Sequence, residues 1–202
     1  MLDRYDGHIL GFATTDGRRI VVGRWLRSPW PPFADVMTED ADGLRTLLAP
    51  SRAIADEIAQ TYEFDAVVVT PVQVRCDPSA RRWRVTAGPF DAAVVVGGRT
   101  ALGRVLGALP RPVAQSRSFA AMVDPLARVL VPGVRTRGSA GSGRREWYGA
   151  VGQHRVVEVS ATWDAEPCGA LLSTVPAVRF GFSSVPHHPT VTAVRTTIAR
   201  SA

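Results

Sequence analysis

The residues of this 202-residue chain best suited to recognising a ligand cluster in one stretch. Residues 133–146 read Gly-Val-Arg-Thr-Arg-Gly-Ser-Ala-Gly-Ser-Gly-Arg-Arg-Glu, with four arginines separated by small residues. Small residues let successive backbone N–H groups turn toward an anion, and each guanidinium adds a planar fork of donors that matches carboxylate or phosphate. The composition predicts a ligand-binding loop in which Arg135, Arg137, Gly138, Ser139, Arg144 and Arg145 face the ligand. It equally describes a solvated linker whose arginines contact nothing in particular. Glu146, Trp147 and Tyr148 follow at the start of an expected strand, where alternation puts Glu146 and Tyr148 on one face and Trp147 on the other. A Glu–Tyr pair beside arginines can orient a ligand or pass a proton. The competing reading pairs Glu146 with a neighbouring arginine and sends Trp147 into the core.

Absences narrow the chemistry further. All 24 basic side chains are arginine, and neither lysine nor asparagine occurs. Without lysine no Schiff base forms, which excludes pyridoxal phosphate enzymes and lysine-dependent aldolases or decarboxylases. A Walker-type phosphate loop and a kinase's strand lysine are excluded for the same reason. His8, His154, His187 and His188 have no H-x-x-x-H or H-E-x-x-H spacing, and Cys76 and Cys168 form no C-x-x-C, so neither metal nor cofactor is expected. His8 and His154 each stand near a strand start and can meet in space. No G-x-S-x-G elbow occurs. Glu39, Asp40 and Asp42 gather at a turn, where solvated acids are ordinary. Trp25, Trp30, Trp83, Trp147 and Trp163 can line a cavity or simply fill a core.

The net charge of +6 is unevenly spread. Residues 99–145 carry nine arginines and one acid, Asp124, for +8; the remaining 15 arginines and 17 acids leave −2. A codon bias toward arginine applies to both parts, so the asymmetry points to an anionic partner: a small metabolite, nucleic acid or an acidic membrane surface. Salt bridging to the acidic remainder is the alternative. Against nucleic acid, Phe119 is the one aromatic between residues 99 and 145, whereas single-strand binders interleave bases with rings. The N-terminus lacks the basic and apolar regions of a signal peptide, and no uncharged apolar run approaches the roughly 18 residues of a spanning helix. The expected location is cytoplasmic.

These residues must be positioned by a mostly β framework. A 46% hydrophobic, 21% charged composition is ordinary for a globular chain, and the length suits a single domain over 1–202. Apolar runs at 7–14 and 18–26 flank Asp16-Gly17, and runs at 33–39 and 43–49 flank Asp42-Gly43; each pattern predicts a hairpin. Ser51 is placed to cap a helix reaching Tyr62, with Ile54, Ile58 and Tyr62 at four-residue spacing. Residues 65–75, 81–88 and 90–97 read as a three-stranded meander. From 99 to 131 the period becomes helical: Leu102, Val105, Leu106 and Leu109 form one stripe, and Phe119, Met122, Val123, Leu126, Val129 and Leu130 form another. Pro110 and Pro112 separate the two, giving a helical-pair insertion within the basic 99–145 segment. That amphipathic segment suits an acidic membrane surface or packing onto the domain. Strands resume at 146–151, 154–163, 176–183 and 190–198. About ten strands with few helices between them predict a mostly antiparallel β-barrel, closed or nearly so, and argue against a parallel α/β sheet.

Four stretches, Phe33-Ala-Asp-Val-Met, Gly133-Val-Arg-Thr-Arg-Gly-Ser-Ala-Gly, Arg145-Glu-Trp-Tyr-Gly and Val178-Arg-Phe-Gly-Phe, resemble a set of uncharacterised proteins from high-GC bacteria. They cover about a sixth of the chain, and the resemblance implies no activity. The architecture also loosely resembles lipocalin-type and acetoacetate decarboxylase-type barrels, although the latter family's catalytic lysine has no counterpart. The expected function is therefore non-catalytic binding of a small anionic or amphipathic ligand in a barrel. The alternatives are a lysine-free, metal-free enzyme acting on a carboxylate or phosphate substrate, and nucleic-acid or peripheral membrane binding through the basic segment.

Overall fold

A computed structural model describes residues 2–108, 137–139, 145–180 and 185–199. Asp16-Gly17 joins β1 (Leu2–Thr14) to β2 (Arg19–Arg27), and Asp42-Gly43 joins β3 (Phe33–Glu39) to β4 (Arg45–Ala49). Both glycines have φ of +87°, a left-handed backbone in which a side chain would be strained. The turns are locked by carboxylates: Asp16 accepts from the Arg18 N–H, and Asp40 accepts from the N–H groups of Asp42 and Leu44.

Ser51 caps α1 (Arg52–Ala59) by accepting the Ile54 N–H at 3.3 Å. The helix ends at Gln60, short of the expected Tyr62, yet Tyr62 still packs with the apolar face formed by Ile54, Ala55 and Ile58. Because α1 carries the chain back along the sheet, β5 (Ala66–Val69) lies parallel to β4. Parallel neighbours need a crossover of this kind, so the mostly antiparallel sheet carries one parallel joint here. Pro71 then divides the stretch read as a single strand, and β6 (Val72–Asp77), β7 (Arg82–Ala87) and β8 (Phe90–Arg99) form the meander. A proline lacks the N–H that would carry a ladder through.

Thr100 caps α2 (Ala101–Ala108) by accepting the Gly103 N–H. Gly103 lies so close to the later strand β10 that any Cβ would collide with the Gln153 carbonyl oxygen. The expected stripe is divided, with Leu102 against the sheet and Val105 exposed. The second helix of the pair falls in 109–136, outside the described residues. No helix among the described residues is long and apolar enough to cross a membrane.

β9 (Arg137–Ser139) pairs with the start of β10 (Arg145–Trp163), which runs as one long strand where two were read. Register shifts at Ala150/Gly152, His154/Val156 and Val156/Glu158 let β10 bend without stopping. Short β11 (Glu166–Pro167) pairs with β10, β12 (Leu171–Leu172) with β1, and β13 (Thr190–Ala199) lies between β1 and β10. Residues 176–180 do not join the sheet, contrary to the strand read over 176–183. The Arg179 N–H donates to the Glu39 carboxylate and the Phe180 carbonyl accepts from the Glu63 N–H, so these backbone groups are spent off the ladder. Residues 181–184 lie outside the described set.

The ten principal strands run in the order β5-β4-β3-β2-β1-β13-β10-β8-β7-β6. The sheet curls until Val36 and Leu48 from one end share a core with Val85 and Val94 from the other. Leu10, Phe12, Ile20, Val22 and Phe90 fill the inside of the curl, with Trp83 and Trp163 packed against them. The fold is thus the expected mostly-β class with the expected strand number, as a half-barrel rather than a closed one. β5 and β6 stand at the two ends of the order, and among the described residues no ladder joins them. On the outer face Val21, Met37 and Leu47 pack under α1 and with Val178, Phe180 and Val185, forming a second core.

Candidate functional site

Alternation along the strands sends Val21, Gly23 and Trp25 of β2, and Phe33, Asp35 and Met37 of β3, to the outer face of the half-barrel. α1 and the 178–180 segment stand over that face, and between them lies a cavity of about 80 Å³. Most of its wall is apolar, which isolates a few polar groups. Asp35 is fully buried; its Oδ1 accepts from Trp25 Nε1 at 2.9 Å, and its Oδ2 has no hydrogen-bond partner. Gly23 makes this arrangement fit, because a Cβ there would press on both Asp35 Oδ1 and Trp25 Nε1. Burial pushes the Asp35 carboxyl up to about 6, while the Trp25 hydrogen bond pulls in the opposite direction.

Three further polar elements share the wall. Tyr5 donates its hydroxyl to buried Glu57 at 3.3 Å, and its ring stands edge-on to Trp25 with centroids 5.7 Å apart. The hydroxyls of Tyr62 and Tyr148 lie 2.6 Å apart, joining the end of α1 to β10. Thr196 Oγ1 of β13 is buried with no partner. A smaller space of about 50 Å³ adjoins across Ile9, Tyr148 and Val185. There Thr100 donates to Gln153 Oε1 and Gln153 Nε2 donates to Thr192, tying α2 to β10 and β13.

Two ionic clusters hold the cover over the cavity. Glu39, fully buried, pairs with Arg19 at 3.0 Å and with Arg179. Arg45 bridges Glu63 and Asp65 and also donates to the Arg179 carbonyl. Of the acids grouped at the second turn in the sequence, Glu39 is therefore an anchor and Asp40 shapes the turn.

The structure distributes the predicted site residues unevenly. Tyr148 lies in the cavity wall. Arg137, Gly138 and Ser139 form β9, opposite Trp147, Glu146 and Arg145 respectively. This part of the stretch read as a loop is therefore strand, because its backbone is engaged by β10. Arg135 and Arg144 lie outside the described residues. Among the described residues no arginine or histidine lines the main cavity. Sequence reasoning missed Asp35, Glu57, Tyr5, Tyr62 and Thr196. A signal for Asp35 existed: it shares an alternating face with Phe33 and Met37, where an unpaired charge is out of place. Of the five tryptophans, Trp25 lines the cavity.

His8 and His154 do come near one another, inside the half-barrel. Burial lowers the His8 pKa, followed by Arg24 and His154, and its ring sits edge-on to Trp83 at 5.6 Å. Burial lowers that of His154 as well, followed by Arg99 and Arg81. Among the described residues no cluster of three histidine, cysteine or acidic side chains could hold a metal ion. Burial, with Asp16 nearby, pushes the Cys168 thiol up to about 11, which suits a packing role rather than a nucleophilic one. Compared with protein-family models, curated proteins and solved structures, the chain matches none.

Proposed function

We propose that the protein binds a small amphipathic ligand in the cavity between the outer face of the half-barrel, α1 and the 178–180 segment. The supporting observation is Asp35, a fully buried carboxyl with one oxygen satisfied by Trp25 and the other unused, in a mostly apolar chamber. Leaving a buried acceptor unmatched costs about 1–3 kcal/mol, more for a charged group. A bound ligand offsets that cost by donating to Oδ2 while its apolar part displaces water from the walls. The inside of the curl is filled by side chains, so the ligand sits outside the barrel core.

Native mass spectrometry on protein purified gently from a high-GC bacterial host tests this reading. One reproducible small adduct per chain is expected. A bare chain, with a Trp25 indole N–H resonance indifferent to short alcohols and amines, overturns it. An arginine-lined anion site at 135–146 is a separate form of the proposal. Unchanged anion binding in an Arg135→Gln/Arg137→Gln variant would sink it.

Asp35 also favours a second reading, a metal-free enzyme. A carboxyl near 6 is poised for general acid–base work at neutral pH, and the Tyr62–Tyr148 pair lies in the same wall. Turnover of the eluted ligand by fresh protein, abolished in Asp35→Asn, separates catalysis from binding.

A further inference from the structure

Resting on the binding reading above, we infer that the cavity ligand is a short-chain primary ammonium ion whose nitrogen donates to Asp35 Oδ2. Charge is the first argument. The described wall contains two carboxyl groups, Asp35 and Glu57, and no basic side chain. An anion placed there would meet both acids in a medium that screens poorly. A neutral hydroxyl would satisfy Oδ2 but leave any carboxylate charge buried and uncompensated, whereas an ammonium supplies both the donor and the counter-charge.

Geometry and surroundings agree with a cation. An ammonium has three N–H donors; Asp35 and Thr196 both line the chamber, and Asp35 Oδ2 and Thr196 Oγ1, each sealed from water and without a partner, are acceptors that a small side-chain rotation would present to it. Aromatic rings line the chamber, Trp25 and Tyr62 among them, and ring faces attract organic cations. Size limits the ligand as well. A space of about 80 Å³, at roughly 10–15 Å³ for each water-sized site, admits about five to eight heavy atoms. The net charge of +6 opposes a cation at long range, but salt screens that field within about 8 Å. Contact with the buried acid decides the outcome.

The test compares n-butylamine, n-butanol and butyrate, which share a chain length and differ in the charge of the head group. Titrations are followed by calorimetry and by the Trp25 indole resonance. At pH 8 the amine is expected to bind at least tenfold tighter than the alcohol, with butyrate weakest. Asp35→Asn, whose fold is verified by circular dichroism, is expected to lose the amine more than tenfold and to keep the alcohol. The parent protein provides an independent route that needs no variant. Between pH 8 and pH 5 amine affinity is expected to fall about tenfold, because Asp35, held near 6, takes up a proton while the amine stays charged. Among the described residues, the other titratable groups facing the chamber are Glu57 of α1, Tyr5 of β1, Tyr62 after α1 and Tyr148 of β10. Arg179 in the cover is engaged by Glu39. A Glu57→Gln variant carried through the same pH series separates that acid from Asp35. Tighter binding of butanol or butyrate, or amine binding indifferent to Asp35→Asn and to pH, overturns the ammonium assignment and leaves a ligand-binding cavity. Binding of none of the three overturns both readings.

Discussion

Replacing Asp35 by Asn is expected to stabilise the protein at neutral and alkaline pH. The folded protein holds this carboxyl at about 6 against an ordinary 3.8. A raised carboxyl means that the folded state binds its proton more tightly than the unfolded chain does. Stability therefore falls as pH rises through the window from about 4 to about 6, and the full loss is present above it. At 1.36 kcal/mol per pH unit, a rise of about two units amounts to about 3 kcal/mol. Asparagine is close to a permanent copy of the protonated acid: its carbonyl oxygen still accepts from Trp25 Nε1, and its NH₂ stands where the acid's O–H would. Variant and parent are thus expected to differ by less than about 1 kcal/mol at pH 4 and by about 3 kcal/mol at pH 8. Urea denaturation at pH 4, 6 and 8 measures this directly, and distant titrating groups cancel in the difference. In a chain of this length the gap at pH 8 corresponds to a Tm increase of roughly 6–12 °C. A difference that stays constant with pH, or a variant less stable at pH 8, would refute the claim that Asp35 is buried as a strained acid. Retention of a residue that costs this much stability fits a functional requirement at the site.

Other consequences can be measured independently. Glu39→Gln leaves Arg19 buried without its counter-charge and loosens Arg179; a loss of about 3 kcal/mol is expected, with faster proteolysis near 176–180, and a loss below about 1 kcal/mol would argue against the anchor. Gly103→Ala forces a methyl group onto the Gln153 carbonyl, so a cost of roughly 1–3 kcal/mol and faster amide exchange throughout α2 are expected; unchanged protection contradicts the close packing. His8 and His154 should titrate below 6.5 by NMR, since burial and neighbouring arginines disfavour their charged forms. Their protonation then lowers stability on the acid side of that value, and a midpoint at or above it for either residue would be inconsistent with the structure.

Much of the local structure was legible because it is governed by neighbours in the chain. The two Asp-Gly turns, the Ser51 cap and the apolar runs of β1 to β4 each depend on a few adjacent residues, and each is found near where the sequence places it, although β1 begins at Leu2 rather than at residue 7. Pro71, which separates β5 from β6, acts through the same local chemistry. The parallel placement of β5 was hidden, because it depends on where α1 returns the chain rather than on any property of Ala66–Val69. The arginine-rich stretch attracted attention through composition alone. The burial of Asp35 was hidden because alternation with Phe33 and Met37 assigns it a face of β3 without saying what covers that face.

The sequence by itself determined the class of the fold, its turns and the chemistries that the absence of lysine forbids, since these follow from residue type and short-range spacing. Tertiary structure alone decided that the barrel stays open, that Tyr62 meets Tyr148 across 86 residues and that Asp6 meets Arg195 across 189. It also decided that Asp35 is sealed beside Trp25 with one oxygen to spare. Burial, and with it the raised carboxyl, is a property of everything packed around a side chain. No stretch of the sequence carries it until strands from both ends of the chain have come together.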